Sequence, residues 1–198
     1  MTCIAIATED ILSETLCLRL IKELDGKLTP GLLLRKSGFG YLKSNMRKWC
    51  ELSNTIPVFL LTDLDNTQCP SKLIQSWVGL NKKPENLLIR VAVKEIESWL
   101  IADHEAIQHL LGSSGRLPNN PDEIEDPKQY LLNLARKAPR EIRNDLLNVT
   151  SRGLKQGLGY NNLLTEFVTN RWNPERAAAR SKSLANTRVR LLNLSNKL

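Results

Sequence analysis

Four short apolar runs alternate with stretches of helical periodicity over the first 112 residues, and this alternation restricts the fold more than any other feature. The runs cover residues 3–8, 31–35, 57–62 and 87–93. Their lengths and their Val, Ile and Leu content suit strands covered on both faces. Between them, residues 11–24 place Leu12, Leu16, Leu20 and Leu24 on one stripe, the pattern of an amphipathic helix. Segments 42–52, 71–78 and 95–111 read as helices too. Strands separated by helices return in the same direction, because a parallel pair needs a crossover connection. The expectation is an α/β protein with a four-stranded parallel, Rossmann-like sheet and helices on both faces.

Residues 113–127 contain three prolines and few apolar side chains, and are expected to form a linker loop after a core domain over 1–112. Beyond the loop the chain reads as a small all-helical region over 128–198, with helices at 128–137, 140–149, 160–170, from 174 and at 183–194. Asn173-Pro174-Glu175 is a strong helix start: an N-cap, a proline at the first position and an acid that the helix dipole favours.

Composition excludes several classes. No stretch stays apolar for the ~18 residues that a bilayer span needs. The N-terminus lacks a basic segment followed by an apolar one, so the chain is expected to be cytoplasmic, away from membranes. Cys3, Cys17, Cys50 and Cys69 are spaced by 14, 33 and 19 residues, with no pairing typical of zinc, and are expected to be reduced thiols. His104 and His109 fall on different faces of a helix and read as ordinary surface or packing residues.

The chain carries 28 Lys and Arg against 21 Asp and Glu, a net charge of +7. Seven of those cations and only one acid, Glu175, lie between Arg171 and Leu198, so the last 28 residues hold most of the surplus. A second basic stretch, 26–50, holds Arg35, Lys36, Lys43, Arg47 and Lys48 with Phe39, Tyr41 and Trp49 interleaved and no acid. Cations attract phosphates whatever the sequence, and aromatic rings stack on unpaired bases. Together with Arg176, Arg180 and Arg188, these residues are the candidate nucleic-acid contacts. Solvated helix faces, core aromatics and a basic helix docked on the acidic loop 122–126 are the bland alternatives.

Acids cluster where such sheets place their sites, beyond the carboxyl ends of the strands. Glu9 follows the first run, Asp63 and Asp65 the third, and Glu95 and Glu97 the fourth. Carboxylates brought together repel unless a cation lies among them, and hard oxygen donors suit Mg²⁺ or Mn²⁺. Helix capping is the alternative role for each acid taken singly. Glu95 and Glu97 lie about 200° apart on a continuous helix, so they face one ion only if the helix begins between them.

The order strand–Glu9, helix, strand, helix, strand–Asp63-Leu64-Asp65, helix, strand resembles the Toprim fold of topoisomerases, bacterial primases and OLD-type nucleases. The resemblance implies acid/base work for Glu9 and Mg²⁺ binding by Asp63 and Asp65. The segment from Val91 to Asp103, with Glu95, Glu97, Trp99 and Leu100, and the ending from Arg171 through Leu184 are similar to a small bacterial Toprim-like family of uncharacterised and phage-defence-associated proteins. The implied activity is metal-dependent nuclease chemistry in phage defence or DNA processing, on DNA before RNA, with a protein partner encoded alongside. Two other readings remain. One is a non-catalytic nucleic-acid-binding or assembly subunit. The other is a phosphatase of the haloacid-dehalogenase type, because Asp63, Asp65 and Thr67 also fit that family's first motif, with Asp63 as nucleophile and Asp65 as general acid.

Overall fold

A computed structural model describes residues 2–36, 40–79, 83–112, 116–151 and 153–198. The chain forms two compact units, one of residues 1–93 with 186–198 and one of residues 94–185.

The first unit contains strand β1 (Thr2–Thr8), helix α1 (Ile11–Lys22), β2 (Leu28–Arg35), α2 (Tyr41–Ser44), α3 (Met46–Leu52), β3 (Val58–Asp63), α4 (Pro70–Val78) and β4 (Leu87–Ala92). The four strands are parallel throughout, in the order β2-β1-β3-β4. This is the α/β architecture that the alternation predicts. Val58, Phe59, Leu60 and Leu61 of central β3 are all fully buried. At roughly 1.5–3 kcal/mol per large apolar side chain, that strand anchors the unit. Its even positions, Val58 and Leu60, join Ala5, Ala7, Leu87 and Ile89 on one sheet face, under Leu42, Met46 and Trp49 of α2 and α3. The other face carries the alternate residues and is packed by α1.

Helix α1 starts at Asp10, whose carboxylate accepts from the Ser13 N–H at 2.8 Å and the Ser13 hydroxyl at 2.6 Å. Edge strand β2 begins earlier than its apolar run suggests and takes in Pro30. An edge tolerates the missing N–H, and the register slips beside Pro30, which blunts that edge further. The expected helix over 42–52 is two short helices meeting at Asn45.

The second unit contains α5 (Glu97–Ala102), α6 (His104–Leu111), a 3₁₀ turn (Pro121–Glu123), α7 (Pro127–Ala135), α8 (Arg140–Leu146), β5 (Leu147–Thr150), β6 (Gly153–Gln156), α9 (Tyr160–Asn170) and α10 (Pro174–Ala178). Helix α11 (Lys182–Ser195) begins in this unit and continues into the first. The compact units therefore part after Val93, not at the proline-rich loop. The reason lies in α5, which packs on α7, α10 and the 3₁₀ turn.

Two sequence expectations are corrected here. The helix over 95–111 breaks at Asp103, which leaves helical conformation and caps α6 by accepting from the Ala106 N–H. The helix over 140–149 ends at Leu146, and residues 147–150 pair antiparallel with 153–156, so the region after the loop is not wholly helical. This pair closes against Asp145 through Gly157, where an added Cβ would lie 2.3 Å from the Asp145 carbonyl oxygen. Ser113, Ser114 and Gly115 of the expected linker lie outside the described residues.

Candidate functional site

The strand order reverses between β1 and β3, so the crevice beyond their carboxyl ends is the topological switch point of the sheet. Glu9 directly follows β1, and Asp63 closes β3. The β1–β3 pairing ends at Ala7 opposite Leu60, so Glu9, two residues further on, and Asp63, three residues further on, leave the sheet at the same edge. Adjacent strands lie ~4.8 Å apart, so the two acids share one edge.

The chain then turns sharply. Leu64 donates its N–H to the Ala92 carbonyl at 3.0 Å, and Asp65 follows with φ +48°, a left-handed conformation that Asp adopts more readily than most residues. Asp65 is exposed, whereas Glu9 and Asp63 are partly buried. The Glu9 carboxyl is held above its usual proton affinity, first by burial and next by the charge of Asp65, with Asp10 adding less. Backbone N–H groups of Leu42 and Gly40 bond to the carboxylate and oppose that shift. Gly40 has φ +79°, which lets the chain enter α2 at the turn over Glu9. Three sequence-predicted acids, Glu9, Asp63 and Asp65, thus occupy the switch-point edge.

Among the described residues, no three His, Cys, Asp or Glu side chains gather as a ready-made metal cage. Mg²⁺ does not require one. It keeps several waters and is commonly bound through one or two carboxylates plus substrate phosphates. The oxygen donors at this edge fit that mode of binding and not a closed protein cage.

Glu95 and Glu97 belong to the second unit. Helix α5 does begin between them, and their carboxylates turn towards one cation, the ammonium group of Lys128. Glu95 lies 4.0 Å from that nitrogen and also accepts the Lys128 backbone N–H at 2.9 Å. Glu97, 2% exposed, lies 3.5 Å from it and accepts from the Tyr160 hydroxyl at 2.7 Å. Its second oxygen, Oε2, is buried without a hydrogen-bond partner. Burial raises the Glu97 pKa and Glu95 adds to the shift, while Lys128 and Tyr160 oppose it.

The basic candidates divide by what they touch. Arg35 stands beside Thr8 in the β1–β2 register and places Nε 3.3 Å from Glu14. Arg47 pairs with Glu51 on an exposed face. Lys36, Lys43 and Lys48 are exposed, with no carboxylate within 4 Å among the described residues. Trp49 is not free to stack on bases. It is buried, donates to the Leu42 carbonyl at 2.9 Å and meets Tyr41 edge-on at 5.7 Å. Phe39 lies outside the described residues.

In the C-terminal stretch, Arg176 grips the fully buried Asp103 with two hydrogen bonds of 2.8 and 2.9 Å, and Arg188 grips Glu23 at 2.9 and 3.1 Å. Those two arginines hold the protein together instead of facing a ligand, whereas Arg180 is exposed. Asp122 in the acidic loop accepts from Ser181 and from the Ser183 N–H, so that loop meets the start of α11 through serines and a backbone group. Sequence reasoning missed Lys128 and Tyr160, and it marked Asp103 as the end of the Val91–Asp103 segment without its role. Only Asp103 carried a local signal, as a capping residue inside a helical stretch.

Fold and site together define a parallel-sheet α/β protein with an acidic edge at its switch point. The chain belongs to the family described as a domain of unknown function, DUF4276, which matches residues 7–184. No curated protein and no solved structure matches it.

Proposed function

We propose that the protein is a Toprim-like, Mg²⁺- or Mn²⁺-dependent nuclease that hydrolyses phosphodiester bonds, in DNA before RNA, and serves bacterial phage defence or DNA processing. One observation carries the reading: Glu9 and Asp63 stand at the carboxyl ends of adjacent parallel strands, and Asp65, just beyond, adds to burial in raising the proton affinity of Glu9. Asp63 and Asp65 would hold the ion, which supplies charge for the phosphate oxygens and lowers the pKa of bound water. Glu9 holds or moves the proton of the attacking water, steadied by the N–H groups of Gly40 and Leu42. Lys36, exposed just beyond the end of β2, supplies attraction for the phosphate backbone, as does the outer side of Arg35.

The non-catalytic reading, a nucleic-acid-binding or assembly subunit, draws its support from the missing cage of three ligands among the described residues. Incubating the purified protein with labelled single- and double-stranded DNA and RNA, with Mg²⁺ or Mn²⁺, separates the two. Cleavage is expected, with Asp63→Ala losing about 10²-fold or more of the rate while binding persists. Absence of cleavage of every substrate, with Asp63→Ala indistinguishable from the parent, sinks the nuclease reading in favour of the binding subunit. Hydrolysis of a phosphomonoester through a trapped phosphoryl group on Asp63 would instead establish the phosphatase chemistry.

A further inference from the structure

A cavity of about 590 Å³ opens in the first unit between residues 83–90 and the last turns of α11. Four cations line it, Lys83, Arg90, Arg190 and Lys197, against one carboxylate, Glu85, which leaves a surplus of three positive charges (four minus one). Glu85 lies 3.9 Å from Lys197, its one ion pair within 4 Å among the described residues, and its charge also acts on Lys83. Lys83 donates to the carbonyls of Pro84 and Leu87, and Arg90 donates Nε to the Thr187 hydroxyl at 3.1 Å. Among the described residues, no carboxylate lies within 4 Å of Lys83, Arg90 or Arg190.

Partly buried cations satisfied only by neutral oxygens are costly, and these also repel one another. Burial lowers the proton affinity of Arg90 and of Lys83; the charge of Arg190 lowers Arg90 further, and at Lys83 it adds to burial while Cys50 and Glu85 oppose the shift. An anion in the cavity offsets both costs. Guanidinium groups at Arg90 and Arg190 offer the forked donors that phosphate oxygens accept. The cavity is concave and within the size range of small-ligand sites, with Ile74 and Leu88 as apolar lining for an uncharged portion. A nucleic-acid strand, by contrast, follows an extended groove.

We propose that this cavity binds a compact polyphosphate anion of the nucleoside di- or triphosphate class, with its phosphates on Lys83, Arg90, Arg190 and Lys197. The site uses none of the switch-point acids and stands independently of the nuclease reading.

Calorimetric titration of the full chain with inorganic tripolyphosphate, ADP and adenosine tests it. Tripolyphosphate and ADP are expected to bind with dissociation constants below about 1 mM, and adenosine to give no heat. Arg190→Ala and Lys197→Ala, at exposed positions, are expected to weaken tripolyphosphate roughly tenfold each without changing the ligand-free melting curve. Arg47→Ala, whose partner is Glu51, leaves binding unchanged. Three results would overturn the proposal: no binding of tripolyphosphate up to about 1 mM, parental affinity in Arg190→Ala, or displacement of tripolyphosphate by a single-stranded oligonucleotide at lower phosphate concentration, which makes the surface a strand-backbone site.

Discussion

Glu9 and Glu97 are both carboxyl groups whose proton affinity burial raises, yet their surroundings differ in kind. Glu9 is partly buried and feels the charge of Asp65, an exposed residue beyond the next strand. Glu97 is enclosed by Lys128, Tyr160 and Glu95, and one of its oxygens has no partner. A carboxyl whose folded pKa is raised binds its proton more tightly folded than unfolded. Its stabilising contribution is complete below the ordinary value near 4.5 and is lost as pH rises through the folded value. Glu97→Gln removes that titration and keeps an acceptor for the Tyr160 hydroxyl. In urea unfolding at pH 5, 6.5 and 8, the parent is expected to lose stability relative to the variant as pH rises. Parallel pH profiles for the two proteins would show that Glu97 does not carry the dependence. The positions of Glu9, Asp63 and Asp65 were legible in the sequence because each is set by the end of a short apolar strand. The Lys128 partner of Glu95 and Glu97 was not, because it lies more than thirty residues away along the chain.

Among the elements, the break between α5 and α6 shows one side chain organising several segments. Asp103 is fully buried, caps α6 through the Ala106 N–H, accepts the Asn173 N–H at 2.7 Å and takes both hydrogen bonds from Arg176. It thereby ties α6 to the start of α10. Asp103→Ala leaves Arg176 and two backbone donors without their acceptor, and about 3–5 kcal/mol of stability is expected to be lost in chemical denaturation. Asp103→Asn should lose less, because it retains an oxygen for one cap. Equal losses in the two variants would mean that packing, not hydrogen bonding, sets the value of this residue. Helical periodicity alone runs through Asp103 without a pause, since Trp99, Ile107 and Leu110 keep the stripe on either side. The antiparallel pair of 147–150 with 153–156 escaped for a related reason: its strands are four residues each and acquire their partners by pairing with one another.

At the scale of the whole molecule, the last thirteen residues belong to the first compact unit although they follow the second in sequence. Helix α11 brings Leu191 and Leu194 into burial, joins Arg188 to Glu23 of the segment after α1 and sets Thr187 on Arg90 of β4. A chain ending at residue 185 is expected to lose cooperative melting of the first unit, since two buried leucines alone represent roughly 3–6 kcal/mol. Limited proteolysis within residues 1–93, compared with the full chain, reads the effect. Unchanged protection would assign α11 a peripheral place. No helix among the described residues is long and apolar enough to cross a membrane.

The basic surplus of the C-terminal stretch is likewise shared out, with Arg176 and Arg188 in ion pairs and Arg190 and Lys197 at the cavity. Local pattern was sufficient for the parallel α/β core and its acidic edge, because strand length, crossover handedness and the residue after a strand depend on near neighbours. Tertiary structure alone decided which cations are neutralised, where Asp103 and Lys128 find their partners, and to which unit α11 returns. Those outcomes rest on contacts between residues far apart in the chain, and a charge on a sequence carries no record of the charge it will meet.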